Sequence, residues 1–218
     1  MAYQFDWSVI SDPLFWLRAI AITLVYAVGT VIAGLAIGVL GGAAMISRFL
    51  ALRVVVSAYV QVFRCTPLVV QIVWFFYALP MLTGYALPEW LAAGSGLTLY
   101  MGAFATEIFR AGVTSIERGQ WDAAQALGLK YHQMMRLVVL PQAIRRMMPA
   151  LVSQSILQLK NTSLLYVVAV PDLMYSASQV TARTYRPLEL YTFVAAVYFL
   201  LLFPLTIFSK KLETRADL

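Results

Sequence analysis

The chain has 218 residues, of which 61% are hydrophobic and only 12% charged, and its formal net charge is +6. A soluble domain carries about 25% charged residues, so this composition excludes an ordinary water-soluble fold and predicts one all-helical domain, residues 1–218, embedded in a bilayer. The single cysteine, Cys65, excludes an intramolecular disulfide or a multi-cysteine metal cluster, and its expected role is that of a small buried hydrophobe.

The first element follows MAYQFDWSVISD, which has no basic segment of the kind that opens a secretory signal. The apolar run behind it, 15–46, is about twice as long as a signal core. It is therefore expected to stay as a membrane span, and Gly29, Gly34, Gly38, Gly41 and Gly42 give it a small-residue face for close helix packing. Four further runs of roughly 20 residues or more are long enough to cross a hydrocarbon layer of about 30 Å: 54–82, 97–116, 147–170 and 190–208. Between the second and third, TGYALPEWLAAGSG reads as a short outer cap punctuated by Pro and Gly, with Trp90 at an interfacial position. Between the third and fourth, QWDAAQALGLKYHQMMRLVVLP is too polar to span, yet Ala124, Leu127, Tyr131, Met134, Met135 and Val138 recur at helical spacing. Between the fourth and fifth, VPDLMYSASQVTARTYRPLEL is expected to carry a short helix opening near Pro171 and Asp172.

Charge orients these spans. Arg48 and Arg53, then Arg118, Lys130, Arg136, Arg145 and Arg146, then Lys210, Lys211 and Arg215 fall on one side, whereas Asp6, Asp12, Glu89, Asp172 and Glu189 fall on the other. Basic residues collect in cytoplasmic segments, which predicts an outer N-terminus, a cytoplasmic C-terminus and an odd number of spans. The positive charge is then a topological signal and requires no nucleic-acid partner.

No catalytic constellation is present: GxxxxGK[ST], HExxH and GxSxG are missing, and His132, the only histidine, reads as a surface residue. An enzyme is not expected, and neither a metal site nor a cofactor of this chain's own. The informative side chains are ionisable groups at membrane depth, each costing about 2.5 kcal/mol or more unless partnered or hydrated. Glu107 and Arg110, three residues apart in ATEIFRAG, form a structural ion pair. Arg64 stands three residues before Pro67, which deprives its helix of a backbone donor; an interrupted helix at that depth requires protein or a wet cavity around it. Lys160, Asn161, Thr162 and Ser163 form a run of hydrogen-bonding side chains in an otherwise apolar span. Arg64, Thr66, Pro67, Leu68, Gln71 and this second run are accordingly expected to line a substrate passage in which cationic groups receive a carboxylate.

The amphipathic segment also carries a resemblance. Asp122-Ala123-Ala124, Gly128, Val138 and Leu140-Pro141 match, with every spacing kept, the E-A-A…G…I-x-L-P signature of the membrane subunits of ATP-binding-cassette importers; Asp stands for Glu and Val for Ile. VFRCTPLVVQ, EIFRAGVTSI, LPQAIRR and LKNTSLLYVV resemble the polar amino-acid branch, most nearly the glutamate/aspartate permeases, and the likeness runs from Phe15 onward. The sequence departs at Cys65, where Gly or Ser is commoner, and at Asn161, where Asp is frequent, which argues against a cationic side chain as cargo.

This resemblance implies a type I importer permease with an ATPase-coupling elbow at about 117–141. It implies two ATP-binding subunits holding ATP and magnesium, a second permease copy or sister permease, and an extracytoplasmic amino-acid-binding protein. The setting implied is the bacterial cytoplasmic membrane, and the cargo a polar amino acid, glutamate/aspartate or glutamine/asparagine. The elbow's composition has a physical reading: Asp122 near the start of a helix opening around Gly119 serves its free donors, the alanines permit close approach, and Gly128 permits a sharp turn between two short helices. A stand-alone secondary transporter and a membrane scaffold are the competing readings; the first needs its own coupling ion, the second has no use for Arg64 and Lys160.

Overall fold

The computed structural model describes residues 3–216, with side chains as far as Leu212, so the side chain of Arg215 lies outside the described set. All secondary structure among the described residues is helical. Helix α1, Pro13–Met45, opens with Pro13 in its first turn and the Asp12 carboxylate accepting from the Phe15 amide at 3.0 Å. Its buried residues, Trp16, Ala19, Thr23, Ala27, Thr30, Gly34, Gly38 and Gly42, recur every three or four positions and form a single stripe. Elsewhere the helix is just as apolar but exposed, as at Val25 and Leu40, so packing of small residues and not hydrophobicity selects the buried side.

Helix α2, Leu50–Cys65, ends at Thr66-Pro67, and α3, Leu68–Thr83, leaves at 108° to it. The expected second span is thus two helices around a break. Proline cannot donate to the preceding turn, and Gln71 closes the gap: its Nε2 donates to the Phe63 carbonyl at 2.9 Å, the Thr66 carbonyl at 3.1 Å and Thr66 Oγ1 at 2.8 Å. Cys65, in the last turn before the break, is exposed and its Sγ donates to Gln61 Oε1 at 3.6 Å. The expectation that it is a buried hydrophobe is wrong, because α2 lies on the outside of this single chain with Val60 as its one buried residue.

Helix α4, Glu89–Thr114, begins directly after Pro88. Most of the expected outer cap is therefore helix, with Ala92, Ala93 and Gly96 already in the core, and the true connection is Gly84–Pro88, where Gly84 ends α3 at φ +75°. α1 lies along α4 so closely that a Cβ added at Gly38 would sit 2.3 Å from that of Ala105, and Gly34, Gly41 and Gly42 are equally filled by Met101, Thr106 and Phe109. Gly29 faces open space and does not belong to the packed face. Buried Gln158 ties the bundle together by donating to Thr30 Oγ1 and the Leu97 carbonyl at 3.0 and 2.9 Å.

After α5, Arg118–Ala126, the chain forms helix α6 over 131–161, built of Tyr131–Met134, a π-helical stretch Met135–Val139, and Leu140–Asn161. A 3-10 segment, Thr162–Val168, follows, then α7, Leu173–Thr184, and α8, Pro187–Ala216. The short helix expected near Asp172 is α7, and the Asp172 carboxylate caps it by accepting from the Tyr175 amide at 2.8 Å.

Pro13–Met45 and Pro187–Leu212 are long and apolar enough to cross a membrane, and the bent pair α2–α3 makes a third if counted as one. α4 and α6 are long enough, at 26 residues and more than 22, but carry Glu107, Arg110, Arg145, Arg146 and Lys160. One apolar cluster, Trp16, Leu173, Ala177, Leu190 and Val194, closes one end of the bundle. Another, Val113, Ile116, Val139, Ala143 and Met147, closes the end that carries α5.

Candidate functional site

The predicted elbow projects from the second of these ends. Helix α5 closes in a Schellman turn: the Leu129 amide donates to the Ala124 carbonyl at 3.2 Å and the Gly128 amide to that of Gln125 at 2.9 Å. The turn places Gly128 at φ +75°, a left-handed conformation that glycine adopts without penalty. Leu127, just before it, is 80% exposed, so the tip is an apolar knob.

Asp122 does not act as expected. The helix opens at Arg118, one residue beyond Glu117, which places Asp122 in the second turn, exposed and past the free donors of the first. Ala124 is buried, while Ala123 and Ala126 face outward. The second arm is not a short helix either: α6 continues without interruption toward the Lys160 run. Leu140-Pro141 leaves its mark immediately upstream, because the proline ring crowds the carbonyl of Leu137 and the helix relaxes it by widening into the π-helical stretch containing Val138. Leu79-Pro80 follows the other π-helical stretch, Trp74–Ala78, in the same way.

Side chains fix the elbow to the bundle. Arg146 Nη1 donates to the Ser115 carbonyl at 2.6 Å, Gln142 Nε2 to Gln120 Oε1 at 3.1 Å, and Trp121 stacks near Tyr131 with ring centroids 6.4 Å apart. His132 is exposed, as expected.

The second predicted site gathers around α4. The Arg64 guanidinium lies 5.3 Å from the centroid of the Phe104 ring, and Phe104 packs against Tyr100 at 4.7 Å. The Tyr100 hydroxyl faces Asn161. One turn beyond Phe104, Glu107 accepts two hydrogen bonds from Arg110, at 3.2 Å from Nε and 2.5 Å from Nη2, as the spacing predicts. Arg64 and Lys160 are both exposed in this single chain.

The remaining predicted residues divide. Ser163 Oγ donates to the Lys160 carbonyl at 2.8 Å beside the same region, whereas Thr162 is fully buried and donates to the Leu159 carbonyl at 2.7 Å. Leu68 is buried in the core; Thr66 and Gln71 are occupied with the break around Pro67, where they border an apolar recess of about 370 Å³ lined by Phe63, Val70 and Trp74. Tyr100 and Phe104 were not singled out from sequence, although Tyr100, Phe104 and Glu107 recur at the spacing of one helix face. Among the described residues no cluster of His, Cys, Asp or Glu has the makings of a metal site.

Residues 34–217 match the family described as binding-protein-dependent transport system inner membrane component. The chain belongs to that family. It is therefore a membrane component of such a system, and the residues expected to form the elbow and the passage lie within the matched span. Among its relatives, an arginine transport system permease protein of Bacillus subtilis is 36% identical over 92% of each chain. A glutamate/aspartate import permease protein of Escherichia coli is 34% identical over 98% of this chain and 99% of its own. A glutamine transport system permease protein of Escherichia coli is 35% identical over 97% and 98%.

Among solved structures, the crystal structure of an amino acid ABC transporter with histidines superposes with a TM-score of 0.91 at 30% identity, covering 98% of this chain and 100% of that one. An inward-facing MetNI methionine ABC transporter superposes with a TM-score of 0.76 at 21% identity, which establishes a shared fold. The all-helical type I importer permease fold expected from the sequence is thus the observed one.

Proposed function

We propose that this chain is the permease subunit of an ATP-driven importer of polar amino acids, with ATP and magnesium held by separate subunits docked on the elbow. The observation that carries the reading is the pairing of two features on one continuous helix: α6 starts in the Gly128 elbow and ends in the Lys160–Ser163 run. A knob that a motor protein can grip is thereby joined along one helix to the polar run whose Asn161 faces Tyr100. Helix-in-groove docking suits the exposed, apolar Leu127 tip.

Arg64 and Lys160 supply fixed positive charge for the α-carboxylate common to all amino acids, and the aromatic pair offers a face for the rest of the molecule. Five helical passes, one of them broken, leave Arg64 and Lys160 exposed, so a second copy or sister permease completes the passage, and an external binding protein delivers cargo at the end away from the elbow. Alternating access then follows from rocking of two bundles about a shared site. The relatives named for arginine, glutamate/aspartate and glutamine transport support polar amino acids as the class; Asn161 in place of a carboxylate favours the acidic or amide members.

The test is uptake in proteoliposomes containing the permease with its ATPase and binding protein. Arg64→Ala and Lys160→Ala together are expected to abolish ATP-driven uptake while ATPase subunits still copurify. Wild-type uptake by the double variant, or uptake by this chain without an ATPase, refutes the proposal.

A further inference from the structure

Asp172 takes no part in the elbow or the passage, yet it is fully buried. It stands where the 3-10 segment turns into α7, at the end of the bundle remote from the elbow. One carboxylate oxygen accepts from the Tyr175 amide; the other, Oδ2, is buried with no hydrogen-bond partner. The adjoining Leu173 amide donates to Thr23 Oγ1 of α1 at 3.1 Å, so the cap of α7 is also its seat on α1.

Its buried chain neighbours, Val170 and Leu173, are apolar. Tyr26 of α1 and Tyr198 of α8 sense its charge, Glu89 at the start of α4 acts on the same Tyr26, and the Tyr198 hydroxyl lies beside Thr23 and Thr162 without completing a bond to either. On α7 itself the first charge is Arg183, exposed and about three turns away. Neither the Glu107–Arg110 nor the Arg186–Glu189 ion pair involves Asp172, and no cation is among the groups that act on its charge.

An ionised carboxylate only accepts hydrogen bonds, whereas a protonated one also has an O–H to donate. We infer that Asp172 is a proton-binding site whose occupancy sets how firmly α7 seats on α1 and α8, making the end of the permease remote from the elbow responsive to pH. The proton comes from water with access to a groove of about 460 Å³ lined by residues flanking Asp172, among them Pro171, Tyr175 and Ser176, and by two charged groups, Asp12 of the α1 cap and Arg183 at the far end of α7. It binds Oδ2 and returns by the same route, with no other bond made or broken.

Burial pushes Asp172 up to about 7, against the opposing pull of the backbone amides of Tyr175 and Met174. A carboxyl whose folded value is raised contributes stability that is fully present below the unfolded value of about 4 and lost as pH rises through about 7. The seat is therefore tight on the acid side and loosens on the alkaline side, where the charge draws in water.

The permease–ATPase complex in lipid nanodiscs provides the test, by infrared difference spectroscopy between about pH 5 and about pH 9. A buried carboxylic C=O band is expected to titrate near pH 7 and to be missing in Asp172→Asn, which keeps the shape and cannot ionise. Amide exchange of α7, corrected for its intrinsic pH dependence, is expected to quicken above that midpoint in the wild type and to stay flat in the variant. The inference is overturned by an unchanged band in Asp172→Asn, by wild-type titration near pH 4, or by α7 exchange with no step. Should Asp172→Asn fail to fold, Asp172→Glu decides: a carboxylic band whose frequency or midpoint moves with the side chain supports the site, and an unmoved band refutes it. None of these readouts needs cargo, so the outcome is independent of the proposed transport function.

Discussion

The turn at Gly128 permits a test that separates backbone conformation from bulk. A Cβ at Gly128 would meet nothing within 4 Å, so substitution there costs only what φ +75° costs. For an ordinary L-residue the left-handed conformation costs about 1–2 kcal/mol, whereas asparagine visits it readily. At about 1.4 kcal/mol per tenfold, Gly128→Ala lowers the population of the native turn relative to relaxed alternatives by about 5- to 30-fold. If an ATPase grips only the native turn, its apparent affinity falls by up to the same factor.

Gly128→Asn should retain most of that affinity, and Gly119→Ala, in open helical surroundings, should be neutral or gain about 0.5–1 kcal/mol in helix stability. The assay is titration of the purified ATPase against permease in nanodiscs, followed by ATP-driven uptake. Equal behaviour of the Ala and Asn variants, whether both intact or both impaired, refutes the argument that conformation at this residue sets coupling.

Gly38→Leu should prevent accumulation of folded subunit, since even a Cβ collides with Ala105 at 2.3 Å, while Gly29→Ala, which meets nothing, should accumulate normally on a membrane immunoblot. Gln71→Leu removes three hydrogen bonds at the broken helix, from carbonyls of the half-buried Phe63 and the exposed Thr66 and from Thr66 Oγ1; at about 1 kcal/mol in all, thermal denaturation in detergent should shift down, and an unshifted transition contradicts the assigned role. Arg64→Lys keeps a cation but loses the planar stack on Phe104; uptake should fall less than in Arg64→Ala, with the loss mainly in KM.

Features governed by local spacing were legible in the sequence. The glycine stripe of α1, the interruption at Pro67, the Asp172 cap, the Glu107–Arg110 pair and the signature from Asp122 to Pro141 all depend on residues a few positions apart, or on one helix packing along another. What escaped depended on angles. Gln71 reads as a passage residue until the 108° bend brings the Phe63 and Thr66 carbonyls to its amide, and Thr162 reads as lining until the 3-10 segment turns it inward. Cys65 sits on a helix whose apolar face stays outside the core of this chain, with Val60 alone buried. Helix α5 opens beside Gly119 as expected, at Arg118, but Asp122 stands four residues into it, past the free donors it was expected to serve. Nothing in the sequence beyond helical spacing marks Tyr100 and Phe104, because only the arrival of Arg64 from another helix gives Phe104 its partner.

The uninterrupted course of α6 has a mechanical consequence. From Tyr131 to Pro141 the helix advances about 15 Å, and from Pro141 to Asn161 about 30 Å, with Val139, Ala143 and Met147 clamped in the apolar cluster near the junction. A rod held there behaves as an oar in its rowlock: a stroke of about 1 Å at the handle sweeps the blade, where Asn161 meets Tyr100, through about 2 Å in the opposite sense. The wide π-helical turn beside the rowlock and Pro149 beyond it are the places along the shaft where part of that stroke can be lost, so stiffening either should sharpen the transmission from handle to blade.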